Sequence, residues 1–164
     1  MPAIRITTKV NAPIQVVFDL SRSIDLHKIS TAHTNEEAIA GKTSGLIGPG
    51  ESVTWKAKHL GKTRLLTSKI TVFERPYFFV DEMVDGAFKS FRHEHIFSEE
   101  DGATVMGDVF TYTSPYGMLG RLADLLFLKH YMQRLLTKRN LIVKQFAENP
   151  EKHRHLLSKN PTIQ

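Results

Sequence analysis

Phe91-Arg92-His93-Glu94-His95-Ile96-Phe97-Ser98-Glu99-Glu100-Asp101-Gly102-Ala103-Thr104-Val105-Met106-Gly107-Asp108-Val109-Phe110 is the stretch that decides the fold. Two runs of period two flank an Asp-Gly pair, a strong short-range signal for a β-hairpin. Phe91, His93, His95 and Phe97 share one face, because successive strand side chains point to opposite sides. A turn centred near Glu100 and Asp101 sets His95 opposite Met106, His93 opposite Asp108, and Phe91 opposite Phe110. The interior face then carries two imidazoles and a carboxylate among Phe91, Met106, Phe110 and Tyr112. An unpaired buried polar group costs about 1–3 kcal/mol, so a His93–Asp108 pair is expected. A slip of one residue in this register would turn Asp108 outward.

Upstream, the same period continues. Val53, Trp55 and Ala57 alternate with Thr54, Lys56 and Lys58, and Leu66, Ser68, Ile70 and Val72 alternate with Thr67, Lys69 and Thr71. The polar partners mark one face as solvated. Turns are expected at Gly61-Lys62, Arg75-Pro76 and Asp85-Gly86, with an apolar strand from Tyr77 to Val84. Together with Phe88–Phe97 and Thr104–Thr113 these form an antiparallel meander. Ahead of it lie a strand over Ile4–Val10, a short amphipathic helix after Asn11-Ala12-Pro13, a second short helix over Ile24–Ile29, and a weak strand over Asn35–Ala40. The glycine-rich segment Gly41–Gly50 reads as a mobile loop with Leu46 and Ile47 as the apolar tip of a lid, or as a tight turn that leaves those two residues exposed.

Downstream the period changes to that of a helix. Ser114-Pro115 is a cap and a first-turn proline, and no further proline interrupts the chain until Pro150. Met118, Leu122, Leu125, Met132, Leu136, Val143 and Phe146 form its apolar stripe. Arg121, Lys129, His130, Arg134, Lys138, Arg139 and Lys144 make it basic, and these charges are expected on a solvated face. A helix of that length needs a large surface to lie on, which a curved sheet supplies. Residues 1–150 are expected to form one domain, with 151–164 a polar, loosely ordered tail.

Composition closes other routes. Hydrophobic residues at 41% and charged residues at 24% of 164 are globular values and exclude disordered or fibrous classes. The absence of cysteine removes disulfides, thiolate metal sites and a thiol nucleophile. The opening MPAIRITTKV lacks the apolar core of a signal peptide, so a cytoplasmic location is expected. Gly41-Lys42-Thr43 and Gly61-Lys62-Thr63 are not phosphate loops, because the required upstream glycine is Glu36 in one and Lys56 in the other. Neither a cofactor nor a resident metal is expected. His93-x-His95 with Asp108 or Glu82 could supply metal ligands, but that spacing alone does not define a site. Nucleic acid is not expected as a partner, since the aromatic platforms of single-strand binders and a groove-reading helix are both missing. The basic helix is compatible with an anionic membrane surface, and the all-round apolar Leu125–Leu128 with either a monomer or a homodimer.

This order of a strand, two short helices, a six-stranded meander and a long C-terminal helix resembles the helix-grip fold of the START-like, or SRPBCC, superfamily. The resemblance covers residues 3–148 and is most specific over Arg75-Pro76-Tyr77-Phe78-Phe79-Val80-Asp81-Glu82-Met83, Gly86-Ala87-Phe88, Phe91-Arg92-His93-Glu94-His95 and Met106-Gly107-Asp108. These motifs resemble the ligand-binding, polyketide-cyclase-like or cell-division-inhibitor-like branch. They depart from it at Ala87 and Phe91, where that branch often has Pro and Trp. The resemblance implies an α+β fold, with a curved antiparallel sheet of about seven strands wrapped around a long C-terminal helix. It also implies a hydrophobic cavity between sheet and helix for a lipid, sterol, polyketide or aromatic compound. On that basis Trp55, Phe91, Met106, Phe110, Tyr112 and Leu122 are expected to supply contact area, and His93, His95 and Asp108 to orient a ligand that is bound but not transformed. The rival readings are a polyketide cyclase or dehydratase using His93 as base oriented by Asp108, and an interaction protein acting through the basic helix. The latter would have a filled cavity and an exposed apolar patch at Phe127 and Leu128.

Overall fold

Asp101 and Gly102, both at positive φ (52° and 76°), form the tight turn between the two longest neighbouring strands of the meander. In a computed structural model of the protein, which describes residues 2–59, 61–114 and 127–158, these strands are β6 (Ser90–Glu100) and β7 (Ala103–Thr113). They belong to a seven-stranded antiparallel sheet with β1 (Ala3–Val10), β2 (Glu37–Gly41), β3 (Ser52–His59), β4 (Lys62–Glu74) and β5 (Phe78–Asp85). The strand order is β1-β7-β6-β5-β4-β3-β2, so the meander is continuous and β1 closes against its last strand. Register shifts between Ala38 and Ala40, Thr67 and Ser68, and Ile70 and Val72 mark bulges, which bend and twist a sheet.

The expected register of the central hairpin is off by two residues. Because the turn residues are Asp101 and Gly102, His95 pairs with Asp108, His93 with Phe110, Phe91 with Tyr112, and Phe97 with Met106. A shift of two preserves the faces, so the inward set of side chains is the expected one. The Asp85-Gly86 turn is also corrected. Pairing of β5 with β6 ends at Glu82–Arg92, and a longer connection through Gly86–Lys89 follows.

Two helices follow β1: α1 (Ile14–Ser21) and α2 (Ile24–Ser30), the second capped by Ser23, whose hydroxyl accepts from the Leu26 amide at 3.1 Å. They pack on one half of the sheet's concave face. There Phe18 is fully buried, with its ring 5.3–5.4 Å edge-on to Phe73, Phe79 and Phe97. The other half belongs to a second cluster of Ile4, Phe91, Phe110, Tyr112 and Leu136.

Of the long basic helix, the structure describes α3 (Lys129–Ala147), whose buried positions Leu136, Arg139, Asn140, Val143 and Ala147 make one stripe. The remainder of the expected helix, with Met118, Arg121, Leu122 and Leu125, lies outside the described residues. Arg139, expected on the solvated face, is buried. Residues 150–158 correct the loose tail: Pro150–Ser158 is a helix, α4, and its Leu156 joins the main core. The lid is corrected too. Ile47 is 5% exposed within the core, and its segment is pinned to α2 by the Ile24 amide on Gly45 O and the Ile47 amide on Arg22 O. The Arg22 guanidinium also donates to Ile47 O at 3.0 Å, and the Gly45 amide to Asp25 Oδ2 at 2.9 Å.

Candidate functional site

Inward positions on β5, β6 and β7 converge with α3 on a buried polar network. Asp108 sits at its centre, 1% exposed. Its Oδ1 accepts from His93 Nε2 at 2.8 Å and lies 3.0 Å from His95 Nδ1, off the line of a good hydrogen bond. Its Oδ2 accepts from Asn140 Nδ2 at 2.6 Å. On the other side His95 Nε2 donates to Asp81 Oδ2 at 2.9 Å, and the same oxygen lies 3.8 Å from His93 Nδ1. Arg139 lies 3.6 Å from Asp108 Oδ1, and its guanidinium donates to Asn140 Oδ1 and to Ser21 O.

The two imidazoles are in different electrostatic positions. Burial alone would lower His95, but the Asp108 and Asp81 carboxylates outweigh it and raise its pKa, so the charged form is favoured between them. For His93, burial and then the neighbouring His95 charge prevail over Asp108, and its pKa falls. The neutral form of His93 is therefore favoured more than in a free imidazole. Since a carboxylate can only accept, its proton sits on Nε2 and the Nδ1 lone pair is left unspent. Burial would raise both carboxyls, yet the imidazoles hold Asp81 below, and Asp108 well below, the ordinary value. The two carboxylates thus face the Arg139 guanidinium and an imidazole whose charged form is favoured.

Asp81, His93 and Arg139 also line a cavity of about 470 Å³ between the sheet and α3. Its walls are Trp55, Ala57, Leu66, Phe88, Phe91, Phe110, Leu128, Met132 and Leu136. The rings of Phe91 and Phe110 are 5.2 Å apart, and Phe88 packs edge-on to both. A second polar group lies in the same cavity: Glu36, 3.5 Å from His27 Nε2, and His59, whose Nδ1 is 2.9 Å from the Tyr131 hydroxyl. Burial would raise the Glu36 carboxyl, but His27, Thr31 and His59 keep it below its ordinary value. His27 in turn stacks on Trp55 at 4.3 Å. A smaller space of about 120 Å³ is lined by Asp81, His93, His95 and Arg139 among others.

Among the residues expected from the sequence, Trp55, Phe91, His93 and Phe110 therefore line the main cavity. His95 and Asp108 stand behind it and bear on it through His93 and Asp81. Met106 is corrected: it is fully buried in the core beside Ser21, whose hydroxyl is 3.4 Å from its sulfur. Tyr112 packs behind Phe88 and Phe110 rather than in the lining. Leu122 lies outside the described residues. Glu82, weighed as a metal ligand, pairs with Arg92 at 3.0 Å on the opposite face from Asp81.

Asp81, Arg139, Asn140, Phe88, Glu36, His59 and Tyr131 stand outside the set of site residues expected from the sequence. Three of them carry a signal there. Asp81 has the parity of Phe79 and Met83 in an apolar strand. Arg139 and Asn140 fall three and four residues after Leu136, inside the apolar stripe. The others depend on how loops and strand ends approach the cavity.

Searched as a sequence, the chain matches no protein-family model and no curated protein. Solved structures do resemble it. TTHA0849 from Thermus thermophilus has a TM-score of 0.68 at 20% identity, covering 87% of this chain and 97% of that one. The Zhui aromatase/cyclase from Streptomyces sp. R1128 has 0.68 at 15%, covering 92% and 95%. Ginseng major latex-like protein 151 from Panax ginseng has 0.66 at 12%, covering 90% and 98%. At these identities the likeness is one of fold. Seven antiparallel strands, two short helices after the first, and a C-terminal helix packed on the sheet make this a helix-grip fold, the fold of the solved structures it resembles.

Proposed function

We propose that the protein binds a largely apolar small molecule with at least one polar oxygen in the cavity between sheet and α3. The observation that carries this reading is the cavity itself. At about 470 Å³ it lies within the roughly 300–1,000 Å³ typical of ligand pockets. Its walls are apolar and aromatic, with Asp81, His93 and Arg139 as one convergent polar group and Glu36, His27, His59 and Tyr131 as another. Rigid rings on several walls favour a flat aromatic or polyketide-like compound over a flexible chain. The interaction-protein reading expects a small or filled cavity and an exposed apolar patch at Phe127 and Leu128; Phe127 is 46% exposed, but the cavity is open.

Trp55 is the sole tryptophan and lines the cavity, so its fluorescence reports on occupancy. Titration with anilinonaphthalene sulfonate should quench it saturably at one site per chain. Ala57→Phe, which fills the cavity from β3, should abolish that binding while leaving the melting temperature nearly unchanged. Unquenched Trp55, or equal binding by Ala57→Phe, refutes the reading. Native mass spectrometry of the purified protein, followed by release of what it carries, would give the ligand class.

A second reading is supported by His93. Its favoured neutral form, its Nε2 proton held by Asp108 and its place in the cavity wall suit a general base acting through Nδ1. The fold's occurrence in an aromatase/cyclase is compatible with that chemistry. His93→Gln would then abolish turnover of a poly-β-ketone substrate while retaining fluorescent-probe binding.

A further inference from the structure

We infer that Asp81, His93 and His95 form a binding site for one first-row divalent transition-metal ion, of the Zn(II) or Fe(II) kind, at the polar end of the cavity. The inference does not rest on the proposed ligand.

The geometry is that of two histidines and one carboxylate presented by adjacent strands. Asp81 and His93 pair directly across β5 and β6, and His95 follows His93 on the same face. One donor atom from each residue lies within 4.8 Å of the other two. His95 Nε2 is 2.9 Å and His93 Nδ1 3.8 Å from Asp81 Oδ2. Metal–ligand bonds of about 2.0–2.2 Å set neighbouring donors roughly 3 Å apart, so Asp81 is already placed for His95, and the three donors, all within 4.8 Å, draw together around the ion.

The surroundings favour this use of the nitrogens. Metal-bound histidines almost always donate their other ring N–H to a carboxylate, carbonyl or water. Here a single carboxylate, Asp108, faces the other nitrogen of both rings: His93 Nε2 at 2.8 Å and His95 Nδ1 at 3.0 Å. Asp108 is itself held by Asn140, so both rings are oriented from behind with Nδ1 of His93 and Nε2 of His95 turned toward Asp81. On binding, the ion replaces the proton that His95 Nε2 otherwise gives to Asp81, and that proton leaves to solvent. Imidazole and carboxylate without thiolate suit Zn(II) and Fe(II), and the two-histidine, one-carboxylate set leaves coordination positions open. Asp81 and His93 border both the large and the small cavity, so those positions are available to water or to an anionic oxygen of a cavity ligand. One positive charge stays unbalanced among Asp81, Asp108, Arg139 and the ion, which favours such an anion.

The test uses the full chain, stripped with EDTA and titrated with Co(II). The expected result is one equivalent bound per chain, with visible d–d bands distinct from aqueous Co(II) and displaced by Zn(II). Paramagnetic broadening in NMR spectra of the unmutated protein should centre on residues 81, 93 and 95. Asp81→Asn should weaken binding at least tenfold, whereas Glu82→Gln, on the opposite face of the same strand, should bind as the parent does. No bands beyond those of the free ion would overturn the proposal. So would broadening centred on His153 and His155, or unchanged affinity in a folded Asp81→Asn. If Asp81→Asn fails to fold, the broadening map in the parent decides alone. Failure here leaves probe binding by the EDTA-treated protein untouched, and so leaves the proposed function standing.

Discussion

Asn140 on the C-terminal helix donates its amide to Asp108 on β7 at 2.6 Å, across a sequence separation of 32 residues. This bond ties the helix to the sheet at the polar network rather than through apolar contact alone. Both residues are about 1% exposed, so water cannot replace the lost partner. Asn140→Leu should therefore destabilise the protein by about 1–3 kcal/mol, the cost of an unpaired buried group. Asp108→Ala should cost more, about 3–5 kcal/mol, because it leaves His95 and Arg139 with one anion too few. Denaturant unfolding of the two variants measures both, and equal losses would contradict the central place given to Asp108.

The network makes stability depend on pH from both sides in metal-free protein. Asp81 and Asp108 have folded pKa values below the ordinary 3.8, so their contribution is present above that value and is lost as pH falls through the folded ones. His95 is raised above the ordinary 6.5, so its contribution is complete below 6.5 and is lost as pH rises through its folded value. His93, lowered, acts oppositely: its contribution is present above 6.5 and is lost as pH falls through its folded value. Melting temperature against pH should therefore decline on both sides of 6.5, through His95 on the alkaline side and His93 on the acid side, and fall further below about pH 4 as the carboxylates protonate. His95→Gln, though less stable throughout, should lack the alkaline decline.

Ile47 behaves as a core residue. Ile47→Ala should cost about 2–5 kcal/mol, the range for truncating a buried aliphatic side chain. Cleavage by a protease near Gly45 and Gly48 should be slow, and equally slow with fluorescent probe bound. Protection that appears only on binding would restore the lid.

Leu156 is 4% exposed and packs with the main cluster from a helix beyond Pro150. Leu156→Ala should destabilise by about 2–5 kcal/mol, as read by thermal or chemical unfolding. A change under about 0.5 kcal/mol, the usual size at a surface site, would mean that the segment is the loose tail expected from its composition.

Order and type of elements are legible because they rest on periodicity: alternation in Val53–Ala57 and Phe91–Phe97, then helical spacing through Leu136 and Val143. The inward face survives a register error because a shift of two leaves parity unchanged. What the error hides is the partnership. The shifted register gives Asp108 to His93 alone, whereas pairing opposite His95 lets it serve both rings. The carboxylate named as a possible ligand on β5, Glu82, faces away, because only its neighbour Asp81 shares the parity of Phe79. Composition misleads at Gly41–Gly50 and at the tail, where glycines and charges draw attention from the single apolar side chains, Ile47 and Leu156, that anchor each segment. Glu36 just before β2, His59 at the end of β3 and Tyr131 on α3 come from separate parts of the chain and meet only at the cavity.

The buried stripe of the C-terminal helix begins at Leu136, while residues 128–135 lie over the cavity. Within the described part of this helix, the turns from Arg139 on are held in the core through Arg139, Asn140 and Val143, while residues 128–135 rest on hollow space. If the cavity-facing turns open while the turns from Arg139 on hold the core together, a guest enters and leaves without global unfolding. Residence time would then be set by how often those turns peel away. Amide hydrogens of residues 130–136 should exchange faster than those of 140–147, and should slow when the cavity is occupied.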